Sequence, residues 1–262
     1  MPFQLAYHTD AGIKKKTNQD ALLLKTARTP MGRIGLFIVC DGMGGLTQGE
    51  LASATVIRGM SDWFETELPK ITHSGQEQMV IDIQQQLTNC VKGLNRKISD
   101  YGEAGNIKLG TTITALLIVY SKYYLLHVGD SRAYQIHDDL SLLTKDQTLV
   151  ARELEWGNIT EEQAKIDPRR NVLLQCVGAS PELDPVVSHG EVNEGDLFML
   201  CTDGFYHEIS NEELFSSLRP DRFSNEQQMK ETVVGLVELV KKRMEADNIT
   251  VLMTKVTAGE AS

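Results

Sequence analysis

Aspartates at the ends of short apolar runs are the residues of this chain best suited to do chemistry. They are Asp41 after residues 37–40, Asp130 after residues 126–129, Asp203 after residues 199–202 and Asp247 before residues 248–251. The first three have a glycine neighbour, and glycine lets the backbone approach a ligand so closely that carbonyl oxygens can reach an ion. A carboxylate beside a buried strand is costly unless it is paired, hydrogen-bonded or bound to a metal.

The chemistry of such a set depends on whether the chain brings it together. Carboxylates with no basic residue in the same motifs repel one another, and they share a site only if some are protonated or if cations hold them. Oxygen ligands without Cys or His favour the hard ions Mg²⁺ and Mn²⁺. Two such ions about 3.5–4 Å apart can activate water against a phosphate ester. The residues therefore indicate a candidate di-metal hydrolase, beside the simpler interpretation that each aspartate occupies a turn.

The composition limits the classes of partner. The chain has 262 residues, of which 41% are hydrophobic, which suits one large globular domain or two small ones. Its net charge of −10 argues against nucleic acid or an anionic membrane as a partner. An acidic chain can still bind phosphate where metal ions supply positive charge.

The cysteines and the N-terminus indicate a cytoplasmic protein. The four cysteines are far apart, with no C-x-x-C and no zinc spacing, so we expect reduced thiols in or near the core. The N-terminus has no signal-peptide pattern. The longest apolar region, Thr112 to Val128, is interrupted by Ser121 and Lys122, so we expect no membrane span.

The apolar patterns predict the elements that position the aspartates. Strands are expected at Phe3 to His8, Ala21 to Lys25, Ile34 to Cys40, Leu197 to Cys201 and Ile249 to Lys255. A further antiparallel meander is expected from strands at Gly110 to Tyr120, Tyr123 to Gly129 and Arg132 to His137. Helical spacing of apolar residues predicts three long helices, whose marker residues are Val56, Met60, Trp63 and Phe64; Val80, Ile83, Leu87, Val91, Leu94 and Ile98; and Val233, Leu236, Val240 and Met244.

The order of these elements predicts the fold class. Strand-rich blocks followed by paired helices, without regular alternation, favour antiparallel sheets packed together with helices outside, an α+β fold. The polar stretch from Asp146 to Ser180 carries a short helix near Leu149 to Glu155 and little periodic apolar pattern. We interpret this stretch as a surface insertion and a candidate lid.

The chain resembles the protein phosphatase 2C family of metal-dependent serine/threonine phosphatases, and more closely its compact bacterial type. The motifs that carry this resemblance, in the family's order, are Asn18-Gln19-Asp20, Asp41-Gly42-Met43-Gly44-Gly45, Gly110-Thr111-Thr112, Val128-Gly129-Asp130-Ser131-Arg132, Leu143-Thr144-Lys145-Asp146, Thr202-Asp203-Gly204 and Asp247-Asn248. The resemblance implies a four-layer α-β-β-α sandwich of two antiparallel sheets flanked by helix pairs. It also implies a metal centre at one end of the sandwich, and a single catalytic domain over residues 1–262 with a flap at about 146–180.

The resemblance also implies roles for individual residues. Asp41 would bridge two tightly bound Mn²⁺ or Mg²⁺ ions, and the carbonyl of Gly42 would bind one of them. Asp203 and Asp247 would hold the other ion, and Asp20 would act through coordinated water. Asp130, with Asp203, matches the site of a third, weaker ion. Water between the first two ions would attack the phosphorus of phosphoserine or phosphothreonine in line, without a covalent phosphoenzyme.

The chain departs from the family pattern at three positions. Gln19 stands where many relatives have a glutamate, so one ion would depend on Asp41, Gly42 and water. Met43 stands where animal relatives have a histidine proposed as general acid, and a thioether cannot donate a proton. Lys15 falls at the arginine that binds substrate phosphate in many members of the family, and lysine keeps the charge without the bidentate fork. The neighbouring Lys14 or Lys16 could serve instead.

The resemblance implies a phosphoprotein substrate for a monomeric, cytoplasmic signalling enzyme of bacterial type. Arg169 and Arg170, in the flap, would meet that substrate, or would simply be solvated surface charges. A catalytically inactive phosphoprotein binder and a hydrolase of small phosphates are the alternatives. An EF-hand at residues 41–50 fails because Met43 and Gly45 lack ligand oxygens, and Thr47 replaces the third glycine of a dinucleotide-binding loop.

Overall fold

Two five-stranded antiparallel sheets form the centre of the computed structural model, which describes residues 3–44, 48–72 and 75–257. Gly45 and Thr47, which the sequence patterns involve, lie outside the described residues. The strands are β1 Phe3–Asp10, β2 Ala21–Thr29, β3 Gly32–Cys40, β4 Gly42–Gly44, β5 Leu109–Thr111, β6 Ile113–Val119, β7 Lys122–Val128, β8 Arg132–Ile136, β9 Leu140–Leu142, β10 Val186–Glu191, β11 Leu197–Cys201 and β12 Ile249–Val256.

The strands are divided between the sheets without regard to chain order. The first sheet has the order β1-β12-β11-β8-β9, and the second has the order β10-β7-β6-β3-β2. A small ladder pairs β4 with β5. The helices are α1 Gln48–Thr66, α2 Leu68–Ile71, α3 Gln76–Gly105, α4 Leu149–Glu155, α5 Glu161–Ile166, α6 Asp203–Tyr206, α7 Asn211–Leu218 and α8 Glu226–Lys242, with a 3₁₀ turn at Pro220–Arg222.

Three apolar layers hold these elements together. Between the sheets, Phe3 packs edge-on against Phe37 and Tyr123 against Phe198, with ring centroids 5.4 and 5.6 Å apart. The outer face of the second sheet packs against α1 and α3, and that of the first sheet against α7 and α8. Alternate residues of β3 therefore point into different layers, which explains why its sequence is apolar on both faces. This arrangement confirms the predicted α-β-β-α sandwich.

The predicted meander is wrong in its last strand. β6 pairs with β7, but β8 pairs with β11 in the other sheet. The chain crosses between the sheets at residues 129–131, where Gly129 has φ of +110°. A Cβ atom at Gly129 would lie 2.5 Å from Cγ2 of Thr112, so the crossing requires glycine.

The last helix ends earlier than its apolar spacing predicts. α8 stops at Lys242, and Met244, expected on its buried face, is 67% exposed with φ of +72°. The chain leaves the helix there in a left-handed turn, which the amide of Glu245 closes by donating to the carbonyl of Val240 at 3.2 Å. This turn delivers residues 245–248 to the end of the sandwich.

Several short elements escaped the sequence patterns, and β9, β10 and α7 are examples. β10 is an edge strand with no fully buried residue, so it lacks a hydrophobic alternation, and β9 spans three residues. α7 begins with a capping box in which Ser210 and Glu213 satisfy each other's backbone amides. That box is a sequence signal of a helix start and could have identified α7.

The cysteines and the helices can be compared with the expectations of reduced thiols and of no membrane span. All four cysteines have free thiols, as predicted. Within the described ranges, no helix is both long and apolar enough to span a bilayer.

Candidate active site

The strand order brings the candidate aspartates to one end of the sandwich. Asp20 precedes β2 and Asp41 follows β3, and the register pairs Ala21 with Cys40. In the other sheet, Asp203 follows β11 and Asp247 lies two residues before β12, with Cys201 paired to Val251. Because the paired strands are antiparallel, the end of one strand meets the start of its neighbour at the same edge.

Asp130 joins this group from the turn after β7. Its side chain is 5% exposed, and so is that of Asp203. Burial raises the pKa of Asp130 well above its ordinary value, and repulsion from Asp203 and then from Asp146 raises it further. The pKa of Asp41 is likewise raised well above its ordinary value, first by burial and then by repulsion from Asp20 and Asp203. These carboxyl groups therefore act on one another electrostatically. We call them the acidic cluster, which consists of Asp20, Asp41, Asp130, Asp203 and Asp247.

Two threonines hold the backbone of Asp41. The amide of Asp41 donates to Oγ1 of Thr112 at 2.9 Å. Its carbonyl accepts from the amide of Thr112 and from the hydroxyl of Thr111, each at 2.9 Å. Oγ of Ser131 lies 2.8 Å from Oγ1 of Thr112 and links this contact to the Asp130 turn. The motifs contained these residues, but their role was not apparent from the sequence, because the contacts join residues about seventy positions apart.

Thr202 orients Asp20 across the two sheets. Its hydroxyl donates to Oδ2 of Asp20 at 2.9 Å and accepts from the amide of Thr250 at 3.0 Å. Burial raises the pKa of Asp20 from 3.8 to about 7, against these hydrogen bonds and with added repulsion from Asp203. A threonine before the motif's aspartate thus links the two halves of the cluster.

Asn248 fastens the loop before β2 to the site. Its Oδ1 accepts from the amide of Gln19 at 2.9 Å, and its Nδ2 donates to the carbonyls of Ala11 and Thr17, each at 3.0 Å. All of these are contacts between the first twenty residues and a residue near the end of the chain. Asn248 is buried, and both the oxygen and the nitrogen of its side-chain amide bind the backbone of this loop.

Glycines are required where segments of backbone meet at the site. A Cβ atom at Gly42 would lie 2.4 Å from the carbonyl oxygens of Gln19 and Gly49. A Cβ atom at Gly204 would lie 2.2 Å from the carbonyl oxygen of Asn248. The Asp-Gly pairs of the sequence therefore serve close packing of the chain around the acidic cluster.

The acidic cluster has the character of a cation site. Oδ1 of Asp20 and Oδ1 of Asp203 are buried without a hydrogen-bond partner, which is costly for a carboxylate. Among the described residues, no three Cys, His, Asp or Glu side chains close on one point as a finished metal site would. The buried oxygens, the mutual repulsion and the absence of soft ligands nevertheless fit hard divalent ions, whose positive charge would compensate the carboxylates.

Lys15 supplies a positive charge to this cluster. Its Nζ lies 2.8 Å from Oδ1 of Asp247. The hydrogen bond to Asp247 raises the pKa of Lys15, against partial burial, and attraction to Asp41 and Asp203 raises it further. The lysine tract is therefore more than a solvated turn, while its binding of phosphate stays a prediction.

A stacked arginine braces the Asp130 turn. Arg132 makes a bidentate contact with Asp146, at 3.0 and 2.7 Å. Its guanidinium carbon lies 3.7 Å from the ring centroid of Tyr206, whose hydroxyl donates to the carbonyl of Asp130 at 3.1 Å. Arg132 and Asp146 belong to recognised motifs, and their structural role became visible only from this geometry.

The stretch from Asp146 to Ser180 contains α4 and α5. A bridge from Thr148 to Leu173 joins two parts of the stretch to each other, and a second bridge joins Val177 to Thr111, beside Asp41. Arg169 is half exposed and makes a bidentate ion pair with Asp167 at 3.0 and 2.7 Å. The contacts that the structure gives for Arg169 and Arg170 are with Asp167 and Lys165 in this same stretch, and not with the acidic cluster.

Comparison with known proteins places the sequence among phosphatases. The sequence model of protein phosphatase 2C matches residues 9–245. A Streptococcus pyogenes protein described as protein phosphatase 2C-type is 30% identical over 253 residues, which cover 95% of this chain and 96% of that protein.

Solved structures of phosphatases have the same fold. The S. agalactiae serine/threonine phosphatase is 31% identical, with a TM-score of 0.82 over 97% of this chain and 99% of that one. The catalytic domain of the serine/threonine protein phosphatase PstP, in complex with two manganese ions, is 28% identical. Its TM-score is 0.79 over 98% of this chain and 99% of that one.

Proposed function

Because this chain belongs to the protein phosphatase 2C family and is a serine/threonine protein phosphatase of that class, we propose that it hydrolyses phosphoserine and phosphothreonine in proteins at a di-metal centre. The acidic cluster carries this proposal, since its buried oxygens without partners call for cations. The manganese complex of the similar PstP domain supports metal dependence.

The residues of the cluster divide into proposed ligand sets. Asp41 and the backbone of Gly42 would hold one Mn²⁺ or Mg²⁺ ion, and Asp41 would be shared with a second ion held by Asp203 and Asp247. Asp130 would share Asp203 in a weaker third site. When bound, the two central ions would neutralise the carboxylates, polarise the phosphate and activate water for in-line displacement at phosphorus.

The protein groups around the cluster would keep its ligands in place. Thr111 and Thr112 fix the backbone of Asp41, and Thr202 fixes Oδ2 of Asp20, so these carboxylates need little reorganisation to act. Lys15 would bind a phosphate oxygen through its ammonium group, which already faces the cluster. Met43 cannot protonate the leaving alkoxide, so that proton must come from a group other than this side chain.

A covalent route through cysteine has no support in the chemistry of the site. Cys40 and Cys201 are fully buried, and burial raises the pKa of both thiols, that of Cys201 to about 12. A thiol that stays protonated is a poor nucleophile at neutral pH. We therefore propose direct attack by water and no phosphoenzyme.

The remaining parts of the proposal concern the whole chain. We propose a single catalytic domain over residues 1–262, with residues 146–180 as a flap that meets the phosphoprotein. We also propose that the enzyme is a cytoplasmic monomer of a bacterial signalling system, with neither nucleic acid nor membrane as a partner.

Metal-dependent turnover tests the proposal directly. Purified protein should hydrolyse p-nitrophenyl phosphate and phosphoserine or phosphothreonine peptides only with added Mn²⁺ or Mg²⁺. Cys40→Ser and Cys201→Ser variants that fold normally should keep that activity. Full activity after exhaustive chelation would exclude the di-metal mechanism, and turnover of nucleotides in preference to phosphopeptides would make the enzyme a small-phosphate hydrolase.

A further inference from the structure

Glu245 is a buried acid directly beside the acidic cluster. Glu245 is 7% exposed, and it follows the left-handed turn at Met244 that ends α8. Its Oε1 accepts from the amides of Ala246 and Asp247, at 2.6 and 2.8 Å. One carboxylate oxygen thus stabilises the backbone conformation of the segment that carries Asp247.

The other oxygen of Glu245 faces an imidazole. Nδ1 of His207 lies 3.9 Å from Oε2 of Glu245 and 3.9 Å from Oδ2 of Asp203. The backbone of His207 is fixed by its amide, which donates to the carbonyl of Asp203 at 3.2 Å. Its ring packs edge-on against Tyr206, with centroids 4.9 Å apart. The imidazole therefore stands between Asp203 and a second carboxylate.

A buried carboxylate in this position needs an explanation. It adds negative charge to a cluster whose members already repel one another, and burial of a charge is costly without compensation. A turn alone requires only an acceptor oxygen, which an uncharged side chain could supply. The two amides and the imidazole supply the compensation here, and they connect Glu245 to the two aspartates assigned to the same ion.

We propose that Glu245 and His207 are a pair of positioning residues that fix Asp247 and Asp203 for one of the two central metal ions. The inference rests on the proposed function for the identity of that ion. Glu245 acts on Asp247 through its backbone amide, and His207 acts on Asp203 through its imidazole. Groups that orient metal ligands in this way typically change metal affinity by about 10–100-fold when removed.

Calorimetric titration of the chelated full chain with Mn²⁺ tests the pair. Glu245→Ala should weaken one of the two tight Mn²⁺ equilibria by about 10–100-fold and leave the other nearly unchanged. Glu245→Gln keeps the acceptor for the two amides but loses the charge facing His207, so its loss of affinity should be measurable and smaller than that of Glu245→Ala. His207→Phe keeps the ring packing on Tyr206 but removes the imidazole from both Glu245 and Asp203, so its loss should be at least as large as that of Glu245→Gln.

A double-mutant cycle separates a pair from two independent residues. The variant with both Glu245→Gln and His207→Phe should lose little more affinity than His207→Phe alone, because Glu245→Gln removes an interaction that the loss of the imidazole has already removed. At saturating Mn²⁺, kcat and the KM for phosphopeptide should return to nearly the wild-type values, which a damaged fold would not allow. Glu231→Gln, on the exposed side of α8, is the matched control and should bind Mn²⁺ as the wild type does.

The outcomes distinguish this inference from the proposed function. If Glu245→Gln and His207→Phe bind Mn²⁺ as the wild type does, Glu245 is a turn-capping residue and the pair is refuted. Equal weakening of both equilibria would also refute the assignment to one ion. If the wild type binds no Mn²⁺ and has no chelator-sensitive turnover, the proposed function fails together with this inference.

Discussion

Lys15 lies where metal binding and substrate binding would meet. Its ammonium group contacts Asp247 and also acts electrostatically on Asp41 and Asp203. A lysine has a flexible stem and three donors, so the same group can leave Asp247 for a phosphate oxygen once cations occupy the cluster. This position is consistent with the proposed role of Lys15 as a ligand of the substrate phosphate.

Substitution of Lys15 tests the phosphate contact. Lys15→Ala should raise the KM for phosphopeptides by roughly tenfold or more, because a hydrogen bond to a charged group contributes about 1.5–3 kcal/mol. Lys15→Arg should keep or lower that KM. Steady-state kinetics at saturating Mn²⁺ provide the measurement, with Lys14→Ala, an exposed neighbour, as control. If both Lys15 variants match the wild type, the lysine does not bind phosphate.

The aspartates should differ in their effects on metal binding. Asp41→Asn should weaken both central ions and abolish turnover, because Asp41 is proposed to bridge them. Asp130→Asn should leave the two tight ions bound and lower kcat, since Asp130 is assigned only to the weak third site. Titration with Mn²⁺ and rate measurements on the same preparations decide this. Loss of the tight ions in Asp130→Asn would show that the site is a single cluster.

The proposed flap, residues 146–180, should affect recognition of the phosphoprotein substrate more than cleavage of the phosphate ester. Arg169 and Arg170 contact their own segment, and an exposed ion pair such as Arg169–Asp167 contributes little to stability. Changing both arginines to Ala should therefore lower turnover of a phosphoprotein by several-fold while leaving p-nitrophenyl phosphate nearly unaffected. Paired kinetic measurements check this, and equal losses on both substrates would place the arginines in folding or in the chemistry.

The elements also show what local sequence patterns can predict. The buried strand Gly32–Cys40 and the helix Gln76–Gly105 follow from apolar runs and helical spacing, and both were expected. The sheet to which a strand belongs does not follow, because β8 could alternate in the same way in either sheet and the chain changes sheets in the short turn that begins at Gly129. The edge strand β10 lacked a signal because its exposed face needs no apolar residues.

The residues of the candidate site likewise divide into those that the sequence identified and those whose role depends on the fold. Aspartates after apolar runs could be identified from the sequence, and antiparallel pairing explains why they meet. The roles of Thr112, Thr202 and Asn248 could not be identified, since each acts on a residue far away in the chain. A contact of this kind depends on which strand ends become neighbours, which the sequence patterns did not settle.

The acidic cluster should make the stability of the folded chain depend on pH and on cations. The pKa of Asp20 is raised in the folded chain from 3.8 to about 7. Between these values the folded state holds a proton that the unfolded state has lost, so the free energy of unfolding falls as pH rises through this window. Burial lowers the pKa of His127 from 6.5 to about 4, which makes stability rise with pH below about 6.5.

The two effects separate above pH 6.5, where His127 is neutral in the folded chain and loses its remaining protonation in the unfolded chain as pH rises. With a chelator present, the unfolding temperature should therefore fall between pH 6.5 and pH 8, as Asp20 loses its proton in the folded chain. Asp20→Asn should reduce this fall, because an amide does not titrate. Added Mn²⁺ should raise the unfolding temperature more at pH 8 than at pH 6.5, since ions bind the deprotonated cluster, and binding at about 100 times Kd contributes about 2.7 kcal/mol per ion. Calorimetric scans of both proteins, with chelator and with Mn²⁺, measure all four slopes. An unfolding temperature that rises with pH in chelator, or an unchanged slope in Asp20→Asn, would contradict this account of the cluster as repulsion that metal ions relieve.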